Sequence, residues 1–234
     1  KKARKICVAY EGMERFFPAD KILFTGNPVR QNLLDCKVTK EDAVRSFGLV
    51  PGKQTILIVG GSLGARTLND SILGNLPLVK QQSKVQFIWQ TGKYYSEDIK
   101  AELARRGCPE NLKVMDFISD MSQAYAAADL VISRAGAGSI SEFCLLGKPV
   151  ILVPSPNVAE DHQTKNALAL VQKNAALYIA DADARRTLLP KAINTVSDLE
   201  KLESLSRNVI ALARPNAASD IADEVIKLAT TKQG

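Results

Sequence analysis

Thr55-Ile56-Leu57-Ile58-Val59-Gly60-Gly61-Ser62-Leu63-Gly64-Ala65 sets an uninterrupted apolar run directly before a glycine-rich turn. A short run without polar alternation is a strand covered on both faces. The glycines let the backbone turn tightly and approach a ligand without a Cβ in the way. Helical periodicity follows over 65–80. Strand, glycine turn and helix make the opening of a parallel α/β unit. The N-terminus of such a helix offers free N–H groups and about half a unit of positive charge, which suits a phosphate. Ser62 adds a hydroxyl donor. The same residues also read as a plain tight turn in which Ser62 caps the helix.

Further apolar runs lie at 85–90, 112–115, 129–133, 149–153 and 176–179. Helical patterns separate them, at 95–106, 121–128, 141–146 and 163–173. This alternation predicts a doubly wound parallel α/β sheet, Rossmann-like, with right-handed crossovers. Toward the start, 6–10 and 22–25 are strand-like, Gly26-Asn27-Pro28 is a turn and 39–47 a short helix. From Thr187 the pattern is helical only. Ser197-Asp198-Leu199-Glu200 matches a capping box that starts a helix. Arg214-Pro215 ends it, with Pro215 in the first turn of a last helix reaching about Thr230.

Composition sets the outer bounds. The chain has 234 residues, 46% hydrophobic and 24% charged, the balance of a folded globular protein. No apolar run approaches the roughly 20 residues that span a bilayer. Cys7, Cys36, Cys108 and Cys144 are scattered and there is one histidine, so no zinc site and no disulfide framework is expected. The net charge of +6 admits an anionic ligand. Aromatic residues are too few, at 6%, to interleave with basic ones, so nucleic acid is not an expected partner. The chain begins at Lys1, and a basic cluster of Lys1, Lys2, Arg4 and Lys5 runs straight into strand-like sequence. The expectation is a piece of a longer protein.

Ligands of open parallel sheets bind beyond the carboxyl ends of the strands. A second glycine-rich turn, Arg134-Ala135-Gly136-Ala137-Gly138-Ser139-Ile140-Ser141-Glu142, follows the run at 129–133. Ser139 and Glu142 fit a capping box. Glu142 can equally accept hydrogen bonds from ribose hydroxyls. After 149–153 comes a polar loop holding His162, the sole histidine, and Gln163. Either can meet sugar hydroxyls, and either can simply open the next helix. Neither glycine turn is a clean G-x-G-x-x-G, and no G-x-x-x-x-G-K-[ST] is present. Two phosphate-type turns on one sheet suggest one nucleotide diphosphate held from two helix ends.

Five stretches in order resemble the C-terminal half of the MurG family over nearly the whole chain: Gly26-Asn27-Pro28-Val29-Arg30, the 60–65 turn, Phe117-Ile118-Ser119-Asp120-Met121, Ser133 to Ala137 with Ser141-Glu142, and Asp161 to Ala167. The resemblance implies a GT-B glycosyltransferase half, with C-terminal helices on the Rossmann-like sheet. It implies an inverting hexosyltransferase that moves N-acetylglucosamine (GlcNAc) from UDP-GlcNAc to lipid I, giving lipid II. That activity belongs to peptidoglycan and cell-wall biogenesis, cell shape and division, on the cytoplasmic face of the bacterial inner membrane.

Carried over by position, Arg30, Gly61, Ser62 and Gly64 lie toward the donor diphosphate. Ile118 meets the uracil, partly through its backbone. Ala137, Gly138, Ser139 and Glu142 line the nucleotide, with Glu142 on the ribose, and His162 and Gln163 meet the sugar. Family members often carry Gln where this chain has His162 and Leu where it has Gly138. No cofactor, metal or catalytic base is assigned to these residues. The base, the lipid I acceptor site and the membrane patch are expected in an N-terminal half, whose glycine-rich loop ending in His has no counterpart here. The implied division is 1–25 as the tail of that half and linker, 26–214 as donor domain, and 215–234 as a helix returning to the other half. Alternatives are another GT-B UDP-sugar enzyme, such as an epimerase or glycolipid transferase, a non-catalytic Rossmann-like interaction domain, and a dinucleotide oxidoreductase.

Overall fold

The computed structural model describes residues 3–9 and 12–230. Lys1, Lys2 and Tyr10 of the sequence reading lie outside them. Two short parallel strands, β1 (Ile6–Val8) and β2 (Ile22–Phe24), pair with each other at the start. The remaining strands are β3 (Gln54–Val59), β4 (Val85–Gln90), β5 (Leu112–Met115), β6 (Leu130–Ser133), β7 (Val150–Leu152) and β8 (Leu177–Tyr178). They form one six-stranded sheet in the order β5-β4-β3-β6-β7-β8, with every pairing parallel. The order reverses between β3 and β6.

The uninterrupted apolar runs have a direct cause. Ile56 and Ile58 face one layer of helices, Leu57 and Val59 the other, and all are buried. The first layer is Arg66–Leu73, Leu76–Lys80, Ser96–Arg106 and Asp181–Val196. The second includes Lys40–Ser46, Met121–Ala127, Ala137–Leu146 and His162–Val171. Trp89 is fully buried in the first layer, and its Nε1 donates to Asn69 Oδ1 at 3.0 Å. Asn69 Nδ2 in turn donates to the Thr91 carbonyl at 2.9 Å, so this core carries no orphaned indole N–H.

Several boundaries differ from the sequence reading. The expected helix 65–80 is two helices, because Gly74 is a weak helix former and Pro77, with no N–H, sits in the first turn of the second. Helix Ala137–Leu146 starts four residues before the expected 141. Asp181–Val196 runs through Pro190, so helix begins well before Thr187. The next helix, Leu199–Ile210, is capped by Asp198, whose carboxylate accepts from Lys201 N at 3.0 Å. Ser197 is therefore not the cap; its hydroxyl donates to the Ile193 carbonyl at 2.9 Å.

The last helix, Ala217–Thr230, lies beside the first residues of the chain: Arg4 Nη1 donates to the Leu228 carbonyl at 3.3 Å. Its approach runs past the linker after β2. The Arg214 guanidinium sits 4.2 Å over the Phe24 ring, and a Cβ on Gly26 would come within 2.6 Å of Arg214 Cβ. No helix among the described residues is long and apolar enough to cross a membrane.

Candidate functional site

Backbone register places the carboxyl ends of the sheet on one level. Val59 pairs with Gln90 on one side and Ser133 on the other, Gln90 with Met115, and Ser133 with Leu152. Both glycine turns therefore leave from neighbouring strands at the point where strand order reverses. That is where open parallel sheets hold ligands. A cavity of about 560 Å³ lies there, lined by Gly61, Gly64 and Arg66 on one side and by Gly136, Ser139 and Gln163 on the other.

Each turn feeds a helix with no side-chain cap. Arg66–Leu73 has Ala65 at its N-cap, so Ser62 is not the cap of this helix. Ala137–Leu146 has Gly136 there, so the capping-box reading of Ser139 and Glu142 is replaced. The first intrahelical N–H bonds are those of Asn69 to the Ala65 carbonyl and Ile140 to the Gly136 carbonyl, both 3.0 Å. The N–H groups before them are left for a ligand, which concentrates partial positive charge at the cavity. Added Cβ atoms at Gly61, Gly136 and Gly138 would meet nothing within 4 Å, which leaves backbone open to approach. Gly64 differs. A Cβ there would fall 2.1 Å from the Thr91 carbonyl oxygen, and one on Gly92 would fall 2.1 Å from Gly64 N. Gly64 shapes the turn by packing against the loop after β4. Gln90 Nε2 fixes the same turn by donating to the Gly61 carbonyl at 2.9 Å.

Glu142 stands one turn along from Ser139. Its Oε2 accepts from the Tyr125 hydroxyl at 2.7 Å, and its Oε1 faces Arg30 Nη2 at 3.5 Å. The phenol is pushed far above its ordinary 10.0, first by burial and then by the Glu142 charge, so it stays a donor. Asn27 Nδ2 donates to Ser141 Oγ at 3.3 Å and ties the Asn27–Arg30 stretch to this helix.

Gln163 sits at the cavity wall with its oxygen already engaged, accepting from Ala135 N at 3.2 Å and Ser155 N at 2.9 Å. It staples the loop after β6 to the loop after β7, with its Nε2 left at the cavity wall. The Ile118 side chain is buried in the core and does not line the cavity. His162 is exposed at the start of its helix and, unlike its neighbour Gln163, does not line the cavity. Arg30 is exposed beside Glu142.

Some residues were not legible as site residues in the sequence. Arg134 is held by the Val153 and Pro154 carbonyls at 3.0 and 3.1 Å and by Asp181, which also accepts from Thr67 Oγ1 at 2.9 Å. This network ties the loops after β6 and β7 to helices Arg66–Leu73 and Asp181–Val196 at the cavity wall. Arg66 is exposed at the cavity, 5.8 Å from the Tyr95 ring centre. A cation in the first turn opposes the helix dipole, and that mismatch is the signal that could have marked it.

Residues 55–225 match the family described as the glycosyltransferase family 28 C-terminal domain. The chain belongs to that family. A Bacteroides fragilis protein named UDP-N-acetylglucosamine–N-acetylmuramyl-(pentapeptide) pyrophosphoryl-undecaprenol N-acetylglucosamine transferase is 65% identical over 228 residues, covering 97% of this chain and 60% of its own length. The protein of the same name from Cytophaga hutchinsonii is 52% identical over 231 residues, with 99% and 61% covered. The crystal structure of Acinetobacter baumannii MurG superposes with a TM-score of 0.72 at 32% identity, over 96% of this chain and 61% of that one. The chain thus spans about 60% of the length of these curated relatives. The resemblance to the MurG family and the GT-B, Rossmann-like fold are borne out. A UDP-N-acetylglucosamine 2-epimerase from Listeria monocytogenes, at 14% identity and a TM-score of 0.68, shares the fold alone.

Proposed function

We propose that this family 28 C-terminal domain is the donor-binding part of an inverting transferase that moves GlcNAc from UDP-GlcNAc to lipid I, forming lipid II. One observation carries the reading: two uncapped helices aim their first turns into one cavity from paired strand ends. The diphosphate would lie between these turns, with Ser62, Arg66 and Arg30 as further donors. Glu142 would hold the ribose, the Ile118 backbone the uracil edge, and Gln163 Nε2 the sugar, with His162 at the outer rim. In the transfer, the acceptor hydroxyl attacks the anomeric carbon while the bond to UDP breaks. The leaving diphosphate gains charge, and fixed N–H dipoles stabilise it without reorganising. In this reading the base and the contacts with lipid I and the cytoplasmic membrane surface fall outside this chain. Residues 26–214 are the donor domain in this reading, and the helix after Pro215 returns toward the other part. The contact of Arg4 with that helix supports this division.

Calorimetry tests it. The chain should bind UDP-GlcNAc more tightly than UDP-glucose or UDP-galactose. Ser62→Ala and Glu142→Ala should each lose about 1–2 kcal/mol, roughly 5- to 30-fold in affinity. A folded chain that binds no uridine diphosphate would overturn the proposal. The chain by itself should not convert lipid I, and measured transfer would refute its role as the donor part only.

A further inference from the structure

Tyr125 is buried and lies on Met121–Ala127, the helix before β6, outside the residues that line the cavity. Its ring meets Phe143 edge to face, with centroids 5.9 Å apart and planes at 90°. Packing therefore fixes where the phenol oxygen stands, and that oxygen donates 2.7 Å to Glu142 Oε2. The Glu142 side chain is only 16% exposed, while Arg30, its other partner, is 59% exposed and 3.5 Å away. The two contacts are unequal. The phenol bond is short and rigid, and the guanidinium contact is loose and open to water, where such pairs contribute little.

From this asymmetry we infer that Tyr125 is the positioning residue for Glu142, holding one carboxylate oxygen so that the other is presented to a ribose hydroxyl. The inference rests on the nucleotide reading above. It assigns Arg30 a different part: its weak contact with Oε1 opens when a diol and diphosphate enter, freeing the guanidinium for the phosphates. Without the phenol, Glu142 could turn wholly toward Arg30, and the diol would meet a carboxylate already taken. Loss of Tyr125 should therefore cost recognition of the sugar ring hydroxyls more than recognition of the phosphates.

The test compares UDP with 2′-deoxy-UDP by calorimetry on the wild-type chain and on Tyr125→Phe, with thermal melting as the check on folding. Wild type should prefer UDP. In Tyr125→Phe, UDP affinity should fall about five- to tenfold, as for loss of a hydrogen bond to a charged group, while 2′-deoxy-UDP affinity stays within about twofold, so the preference collapses. Glu142→Asp keeps the charge but retracts it from the phenol, and it should show the same collapse even if the Tyr125 variant does not fold. A folded Tyr125→Phe chain that keeps the full preference for UDP overturns the positioning role and leaves the nucleotide reading standing, whereas a folded Glu142→Asp chain that keeps it overturns the contact of Glu142 with the ribose and the positioning role with it. Wild-type chain that binds neither nucleotide removes that reading and this inference together.

Discussion

At the scale of single residues, the glycines and Gln163 divide between shaping the site and standing open to a ligand. Gly64 has φ +84° and lies so close to Thr91 that a methyl group has no room. Gly64→Ala adds a clash to a left-handed backbone and should cost about 3 kcal/mol or more, read as a large fall in the denaturation midpoint together with lost nucleotide binding. Gly138→Ala, where nothing lies within 4 Å and the backbone is helical, should keep its denaturation midpoint and serves as the control for stability alone. Gln163 calls for a finer substitution. Gln163→Glu preserves an oxygen to accept from Ala135 and Ser155 but removes the Nε2 donor. The melting temperature should then hold, while affinity for UDP-GlcNAc falls toward that for UDP. Equal loss for both ligands would assign Gln163 to loop geometry only.

At the scale of elements, the strands were legible because burial on both faces writes them as apolar runs. The run at 85–90 became Val85–Gln90 and that at 112–115 became Leu112–Met115 without change. Helix ends were harder, since capping depends on local geometry that spacing only suggests. Ser139-Ile140-Ser141-Glu142 fits a capping box by letter, yet the helix starts at Ala137 because Gly136 takes the N-cap. Glu142 is then free to meet Tyr125, a partner 17 positions away that no local pattern could reveal. Ser197 lost to Asp198 by one position for a similar reason, as a carboxylate next to the first turn also meets the helix dipole favourably. Asp198→Ala should therefore destabilise the chain by about 1 kcal/mol, whereas Ser197→Ala should change little. Urea midpoints for the pair check this, and equal shifts would count against Asp198 as the cap.

At the scale of the whole molecule, the second helix layer, folded against the sheet, buries groups that answer to pH. Cys144, on the helix that carries Glu142, is buried, and desolvation pushes its thiol from 9.0 up to about 11. Burial, and then the Glu142 charge, raises Tyr125. In each case the unfolded chain releases its proton first. Their contribution is complete below the unfolded value and is lost as pH climbs through the folded one. Lys148 acts in the opposite sense, because burial lowers its ammonium below 10.5 and the folded state sheds that strain as pH rises. The buried Cys144 and Tyr125 outweigh Lys148, so stability should fall between about pH 9 and 11. Cys144 alone accounts for about 2–3 kcal/mol of that loss at the top of the window. Cys144→Ala should start less stable at pH 7 by about 1 kcal/mol, from the lost sulfur packing. It should then decline less steeply, so that the two curves cross between about pH 9.5 and 10 and the variant is the more stable at pH 10.5. Urea midpoints at pH 7, 9 and 10.5 measure this. Curves that stay parallel across that range would mean the Cys144 thiol ionises as readily in the folded chain as in the unfolded one.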